Sequence, residues 1–236
     1  AEHLARELGV KAAESLENAA ESDVLLISVT MRAAPEATAK AIRLSRRNAV
    51  VAEITSLKSK VLRRAKLELE SRPDVRLLSL HPLFGPGAKS LRGERVAVIP
   101  VADLKEELKL AKSLLPECKL IVVDAESHDR AVSYTITLVY LLNLMLVKLL
   151  PRDLKHIEEL SGTSYRVQAT LAKALLSQDQ ALYADLLCES EYTPKMMDEM
   201  IEWLLEIRGK LEDSKAMEEE VVEARSKVGE GRQLAK

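Results

Sequence analysis

Cysteine and aromatic residues are scarce in this sequence of 236 residues. The two cysteines, Cys118 and Cys188, do not form the closely spaced pairs of a zinc or iron–sulfur motif. This excludes a disulfide scaffold and indicates a reducing compartment. The sequence also lacks an excess of either charge. It has 35 basic and 37 acidic side chains, which give a formal net charge of −2. A dedicated nucleic-acid-binding protein normally carries an excess of basic residues, so we do not expect this protein to bind nucleic acid.

The sequence lacks an apolar run as long as a membrane-spanning helix. The most apolar stretch, 135–150, is interrupted by Asn143 and Lys148 and is shorter than the roughly 20 residues that a spanning helix needs. The first eight residues are charged and amphipathic, without the apolar segment of a secretory signal. We therefore expect a soluble cytoplasmic protein that binds neither membrane nor nucleic acid.

Short apolar runs alternate with helical stretches up to about residue 125. The runs lack the apolar–polar alternation of half-exposed strands, which is typical of a mostly parallel sheet covered by helices on both faces. The predicted strands are 24–29, 49–54, 76–80, 95–99 and 120–123. The predicted helices between them are 35–47, 58–69 and 103–115, the first with Pro35 in its first turn.

After Asp124 the strand pattern stops and helical periodicity continues. The predicted helices are 127–150, 152–160, 165–189 and 194–228. Proline and glycine residues separate them. The sequence thus predicts an α/β domain over residues 1–125, followed by an all-α domain over residues 126–236.

Polar clusters follow three of the predicted strands, at the edge where parallel sheets bind ligands. They are 28–30, 53–58 and 81–87, and a fourth cluster, 126–130, opens the helical domain. Each has an ordinary explanation: Ser56 as a helix cap, His81 as a loop histidine, and His128 with Asp129 as charge in a first helical turn. Their coincidence at one edge of the sheet favours a shared site instead.

Four strings in these regions carry a family resemblance. They read Glu-Ile-Thr-Ser-Leu-Lys at 53–58, His-Pro-Leu-Phe-Gly-Pro at 81–86, Ser-His-Asp-Arg at 127–130 and Gln-Asp-Gln-Ala-Leu-Tyr-Ala-Asp at 178–185. Together they resemble the prephenate dehydrogenase family, which includes arogenate dehydrogenases. The resemblance implies an incomplete Rossmann-like, mostly parallel sheet, followed by a helical domain that forms homodimers.

The resemblance also implies a reaction, the oxidative decarboxylation of prephenate to 4-hydroxyphenylpyruvate with NAD or NADP in tyrosine biosynthesis. An imidazole with a pKa of about 6.5 can accept a hydroxyl proton at cellular pH. By resemblance, His81 is the catalytic base and Ser56 binds the same hydroxyl or orients the imidazole. On the cofactor side the resemblance places Ser28, Thr30 and Lys58. On the substrate side it places His128, Gln178 and Tyr183.

The sequence departs from the family at a carboxylate-binding position. The family usually has an arginine four residues before Gln178, where this sequence has Ala174. An arginine fork matches a carboxylate with two parallel hydrogen bonds. Arg166 and Lys173 are nearby on the same predicted helix, and either could bind the substrate carboxylate instead of that arginine, with less directional contact. The alternative for both residues is an ordinary position on a solvated helix face.

A second departure concerns the cofactor. Dinucleotide sites normally begin with G-x-G-x-x-G between a first strand and a first helix, and the eight glycines of this sequence do not form that pattern. Residues 1–8 resemble the helix that follows the second strand of such a fold. The opening βαβ unit, roughly 30 residues, is therefore expected to be missing, and this chain alone is expected to bind the cofactor poorly.

Two further functions stay open. Another two-domain hydroxyacid dehydrogenase would join similar domains, but that class generally relies on a lysine in the helical domain and would leave the His81 string unexplained. A non-catalytic dimeric module derived from such an enzyme is favoured by the missing glycine-rich turn and by Ala174.

Overall fold

The computed structural model describes residues 2–85, 87–151, 155–177 and 179–230. The chain divides into two compact units, Ala1–Ser190 and Glu191–Lys236. The domain boundary predicted at residue 125 lies inside the first unit, where the strands end and the helices begin, and it stays a prediction.

The first unit contains a five-stranded sheet in the order β1-β2-β3-β4-β5. The strands are β1 Val24–Ile27, β2 Val50–Glu53, β3 Arg76–Pro82, β4 Arg95–Ile99 and β5 Lys119–Val122. Three of the four pairs are parallel, as predicted, and β3 pairs with β4 antiparallel. The described part of the β3–β4 connection contains no helix. A short connection of this kind reverses the chain, whereas a parallel pair needs a long crossover.

The antiparallel pair changes the position of His81. The sequence predicted that β3 ends at Leu80 and that His81 lies in the following loop. In the structure β3 continues to Pro82, because His81 and Pro82 pair with Ala97 and Val96 of β4. His81 is therefore held by the sheet, and the prediction of a loop position was wrong.

Helices cover both faces of the sheet, as the unbroken apolar strands predicted. Helices α3 Ala34–Leu44 and α4 Ser59–Ser71 pack on one face, and α5 Leu104–Leu114 packs on the other. Two further helices, α1 Glu2–Leu8 and α2 Leu16–Ala19, precede β1. Val51 and Leu77 belong to the core on one face, with Ile42 and Leu62 of the helices. Their neighbours Val50 and Leu78 belong to the core on the other face, with Ala111. Each strand thus buries alternate residues in opposite layers.

The remaining helices of the first unit are α6 Ala125–Val132, α7 Leu138–Leu149, α8 Lys155–Glu159, α9 Thr163–Leu176 and α10 Gln180–Glu189. A π-helical turn, Ser133–Thr137, joins α6 to α7. The single helix predicted over 165–189 was wrong. Asp179 begins a new helix, because its carboxylate accepts a hydrogen bond from the backbone N–H of Ala181 at 2.9 Å.

The second unit contains α11 Thr193–Lys210 and α12 Ser214–Glu230. The sequence predicted one continuous helix over 194–228, which was wrong for a similar reason. Asp213 interrupts it by accepting hydrogen bonds from the backbone N–H groups of Lys215 and Ala216 at 3.0 and 3.1 Å. Lys210 then joins the two helices by pairing with Glu206 and Glu220.

The helix Ala125–Leu149, which includes the π-helical turn, is long and apolar enough to cross a membrane by length and composition alone. From the sequence, the apolar run at 135–150 was judged too short to span a membrane. In the structure α6 precedes that run in the same helix and makes the helix longer. The core helix of a soluble protein passes the same test, although only 28% of the most apolar window is buried here. Asn143 within it is buried, and its Oδ1 accepts a hydrogen bond from Gln168 of α9 at 2.9 Å.

Candidate active site

The carboxyl ends of β1 and β2 open into a cavity of about 470 Å³ within the first unit. Ser28, Thr30 and Ser56 line it, as the clusters at the strand ends predicted. The start of α10 forms the opposite wall with Asp179 and Asp185. The cavity has the size and position of a small-molecule site in an open α/β sheet.

Ser56 does not act as the helix cap considered from the sequence. Helix α4 begins at Ser59, and the carboxylate of Asp129 accepts hydrogen bonds from the backbone N–H groups of Lys58 and Ser59, each at 2.8 Å. A carboxylate at this point satisfies two unpaired donors and interacts favourably with the helix dipole. Asp129 of α6 thus fixes the start of α4, and Ser56 lines the cavity.

His81 lies in a hydrogen-bonded chain with His128 and Asp129. Nδ1 of His81 is 2.9 Å from Nε2 of His128, and Nδ1 of His128 is 2.9 Å from Oδ1 of Asp129. The two rings meet edge to face with centroids 5.0 Å apart. All three side chains are buried, with 4–5% of each residue exposed. The ordinary explanations considered from the sequence, a loop histidine and first-turn surface charge, were therefore both wrong.

Asp129, at one end of this series of hydrogen bonds, determines which ring nitrogen of each histidine carries the proton. Burial raises the pKa of Asp129, but hydrogen bonds from His128, Ser59 and Lys58 outweigh it and hold that pKa below its ordinary value, so Asp129 is an acceptor. Nδ1 of His128 must then donate, and Nε2 of a neutral His128 must accept. It follows that Nδ1 of His81 donates and that Nε2 of His81 keeps a free lone pair.

The environment of His81 keeps its ring neutral. Burial, the nearby ammonium of Lys58 and the ring of His128 lower the pKa of His81 from 6.5 to about 3, and the carboxylate of Asp129 opposes this shift only in part. A neutral imidazole with Nε2 unprotonated has the form needed to accept a proton from an alcohol.

Lys58 lies in the interior rather than at the cavity. Its Nζ donates to Oε1 of Glu53 at 2.8 Å and to the carbonyl oxygen of Leu80, and both charged side chains are completely buried. Burial lowers the pKa of Lys58, although Glu53 opposes this. The cofactor contact predicted for Lys58 is corrected here, because its ammonium has buried partners and Lys58 is absent from the described lining of the cavity.

This buried ion pair connects the cavity to His81. Glu53 also accepts hydrogen bonds from the hydroxyl of Ser79 and, through Oε2, from the backbone N–H of Thr55 at 2.9 Å. Thr55 and Ser56 line the cavity, while Leu80 directly precedes His81 in β3. Among the described lining residues His81 itself does not occur, so Glu53 and Lys58 are the link between the two parts of the site.

His128 has a different position from the one predicted. Both ring nitrogens have partners, His81 and Asp129. Its ring therefore has no nitrogen left for a substrate carboxylate, and its contact is with the predicted base.

The other predicted substrate residues are dispersed. Tyr183 of α10 is buried with its ring edge to face against Tyr140, centroids 4.0 Å apart, and burial raises its pKa. Arg166 is exposed on α9, with Nε 3.3 Å from the hydroxyl of Ser161. Lys173 lines a separate depression with Leu146 and other apolar residues. Gln178 lies outside the described residues.

Sequence reasoning missed one cation beside the cavity. Arg32 follows β1, and its Nε lies 3.1 Å from Asp185 and 3.2 Å from Glu189 of α10. Asp185 is itself part of the cavity wall. The available signal was that Arg32 follows Thr30 by two residues, just beyond the cluster 28–30 at the strand end.

The described residues fit one end of a nicotinamide dinucleotide. Ser28, Thr30 and Ser56, three residues with hydroxyl side chains, line the cavity at the edge of the sheet where nucleotides bind in parallel sheets. The sequence does not contain a glycine-rich turn for the pyrophosphate. The fit therefore extends to a nicotinamide-sized group at the strand ends.

Comparison with known proteins identifies the family. The family model described as "Prephenate dehydrogenase, nucleotide-binding domain" matches residues 1–124. A probable arogenate/prephenate dehydrogenase of Methanocaldococcus jannaschii is 25% identical over 189 residues, which cover 77% of this chain and 42% of that protein. The T-protein of Haemophilus influenzae is 27% identical over 175 residues, which cover 72% of this chain and 45% of that protein. This chain thus spans less than half the length of these curated relatives.

Solved structures share the fold. Prephenate dehydrogenase of Aquifex aeolicus, in complex with hydroxyphenyl propionate and NAD+, has a TM-score of 0.75 at 19% identity, over 99% of this chain and 85% of that one. Arogenate dehydrogenase of Synechocystis has a TM-score of 0.73 at 14% identity, over 98% and 87%.

Proposed function

We propose that this chain, which belongs to the prephenate dehydrogenase family, carries the catalytic base of an NAD(P)-linked oxidative decarboxylation of prephenate to 4-hydroxyphenylpyruvate. The observation that carries the proposal is the series of hydrogen bonds from His81 through His128 to Asp129. It leaves Nε2 of a neutral His81 as a proton acceptor. His81 also begins the His-Pro-Leu-Phe-Gly-Pro string on which the resemblance to this family depends.

In the proposed reaction, Nε2 of His81 accepts the proton of the substrate hydroxyl. The bound cofactor supplies the acceptor for the hydride that leaves the same carbon. Loss of carbon dioxide then makes the ring aromatic, which provides the driving force. General-base catalysis of this kind contributes about 10²–10⁴ in rate.

The remaining residues have positioning and binding roles in this proposal. Ser56 hydrogen-bonds the substrate hydroxyl, while Ser28 and Thr30 lie at the nicotinamide end of the cofactor. Lys58 acts through its charge, which favours the neutral form of His81, rather than by touching the cofactor. Tyr183 of α10 is proposed to shape the substrate side, and Gln178, outside the described residues, keeps the substrate role that the resemblance implies.

The substrate carboxylates require cations, and three candidates are available. Arg166 and Lys173 are the candidates from the sequence, and Arg32 is the candidate beside the cavity. An arginine fork gives directional bidentate contacts that a lysine does not, which favours an arginine over Lys173.

We further propose that the helical part of the chain forms a homodimer. Apolar side chains on α7 and α9 are exposed in the described structure of one chain, namely Leu142, Val147, Leu149, Val167 and Leu171. Large exposed apolar patches mark interaction sites, and we propose that these side chains contribute to one.

A second candidate function is a non-catalytic dimeric module derived from such an enzyme. Ala174, at the position where the family usually has a carboxylate-binding arginine, favours it. The experiment that separates the two functions uses the natural full-length protein. It measures the absorbance of reduced nicotinamide with prephenate and with arogenate, each with NAD and with NADP. Turnover with either substrate supports the enzyme. No turnover, together with no cofactor binding by calorimetry, supports the module.

A further inference from the structure

We infer that His128 and Asp129 form a proton relay behind His81. When Nε2 of His81 accepts a proton from an alcohol, Nδ1 of His81 passes its own proton to Nε2 of His128, and the positive charge comes to lie beside Asp129. This inference rests on the proposed function for the alcohol and the hydride acceptor. The position of the protons in the resting protein does not depend on it.

The geometry supports transfer along the chain. Two successive hydrogen bonds of 2.9 Å connect His81 to His128 and His128 to Asp129, and all three side chains are buried. Asp129 is fixed in turn by the backbone N–H groups of Lys58 and Ser59. Buried hydrogen-bonded networks of this kind are rigid and strengthen each other electrostatically.

The charges around the two rings determine where a proton is most stable. The ring of His81 is near the ammonium of Lys58, which is paired with Glu53, and an imidazolium at His81 is opposed by that ammonium and by burial. The ring of His128 contacts the carboxylate of Asp129 directly. A positive charge is therefore more stable on His128, where it forms an ion pair, than on His81.

The proton transfers balance without a further reactant. The O–H bond of the alcohol breaks as an N–H bond forms at Nε2 of His81. The N–H bond at Nδ1 of His81 breaks as one forms at Nε2 of His128. No electrons are gained or lost in the relay, because the hydride leaves separately to the nicotinamide of the proposed function. When both protons return after the reaction, His81 and His128 regain their resting protonation.

The first test is ¹⁵N NMR of the histidine rings, which needs no activity. The chain has four histidines, so replacement of each one assigns the signals. We expect His81 and His128 both to carry their proton on Nδ1 at about pH 7.5. As the pH is lowered to about 5, we expect the ring of His81 to stay neutral, with its proton still on Nδ1. A proton on Nε2 of His81, or an imidazolium at His81 above pH 5, would overturn the relay.

The second test compares His128→Gln with the wild type in the nicotinamide assay. The glutamine amide oxygen can accept the hydrogen bond from Nδ1 of His81, but it cannot take up the proton. We expect turnover to fall about tenfold or more, with the NMR signals of His81 unchanged and with a solvent isotope effect that reports one transferred proton instead of two. Unchanged turnover in a folded His128→Gln protein would overturn the relay.

Asp129→Asn and its control complete the design. The carboxylate of Asp129 can only accept from Nδ1 of His128, whereas an asparagine amide can also donate to it. The variant is therefore expected to give mixed Nδ1- and Nε2-protonated signals at His128, where the wild type gives the Nδ1-protonated form alone. Asp103→Asn is the matched control, because Asp103 also caps a helix, α5, but has no histidine partner among its described contacts. If the proposed function were wrong, the assays would show no turnover while the NMR results stood. If the relay were wrong, the NMR results would fail whether or not turnover occurred.

Discussion

Nζ of Lys58 and Oε1 of Glu53 lie 2.8 Å apart, and neither side chain is exposed to solvent. The pair joins the turn after β2 to the end of β3, since Lys58 also binds the carbonyl oxygen of Leu80 and Glu53 also binds Ser79. A buried pair is costly to break on one side, because the remaining charge has no partner.

Lys58→Met is therefore expected to lower the free energy of unfolding by about 3–5 kcal/mol. The double variant Glu53→Gln with Lys58→Met is expected to lose less than the sum of the single changes, since it leaves no unpaired charge. Urea unfolding followed by circular dichroism measures all three. Lys40→Met is the control, because Lys40 and Glu17 form an exposed pair worth less than about 1 kcal/mol. Strictly additive losses would contradict a coupled buried pair.

The buried neutral state of His81 predicts a pH dependence of stability. Folding lowers the pKa of His81 from 6.5 to about 3, so between these pH values the unfolded chain binds more protons than the folded one. Its contribution to stability is complete above pH 6.5 and is lost on acidification, by roughly 1.4 kcal/mol per pH unit. Asp129 contributes only at lower pH, because its pKa is shifted below 3.8.

Urea unfolding at pH 6.5 and pH 5 measures this dependence. The wild type is expected to lose about 2 kcal/mol more than His81→Asn over that interval, since asparagine does not titrate and keeps a donor near the position of Nδ1. Equal losses in the two proteins would show that His81 is protonated as readily in the folded chain as in the unfolded one.

The carboxylate-binding cation is tested by three separate alanine variants, at Arg32, Arg166 and Lys173. The residue that binds a carboxylate of the substrate is expected to raise KM by about tenfold or more on removal, with a smaller effect on kcat, because a charged hydrogen bond contributes about 1.5–3 kcal/mol. Arg47→Ala serves as an exposed control. If none of the three variants changes KM, the carboxylate is bound elsewhere.

The exposed apolar side chains of α7 and α9 predict a homodimer at micromolar concentration. Size-exclusion chromatography with light scattering should give twice the chain mass, and Leu149→Glu should give a monomer, because a charge in an apolar interface is strongly unfavourable. Leu67→Glu is the matched control, since Leu67 is also exposed but lies on α4. A monomeric wild type would rule out this interface.

Much of the fold could be predicted from the sequence because the strands are buried on both faces and the helices are periodic. Val50 to Glu53 is such a strand, with every residue buried. The errors occurred where a single polar residue acts locally. Asp179 and Asp213 each start a helix inside a longer periodic stretch, and periodicity alone does not record such a break.

The sequence predicted which residues form the site, but it did not predict which of them contact each other. The cluster at the strand ends correctly brought Ser28, Thr30 and Ser56 to one cavity. The partner of His81 could not be deduced, because His128 is 47 residues away and the antiparallel pairing with Ala97 that orients β3 is a tertiary feature. For the same reason, Asp129 as the cap of α4 could not be read from local spacing.

Turnover of His81→Asn is the most direct measurement of the proposed role of His81. It is measured with prephenate and NAD beside the wild type and beside His156→Asn, whose histidine is exposed on α8 and pairs with Glu159. The account predicts that His81→Asn loses about 10²–10⁴ in kcat with little change in cofactor affinity, while His156→Asn keeps the wild-type rate. A wild-type rate in His81→Asn would contradict the assignment of His81 as the base.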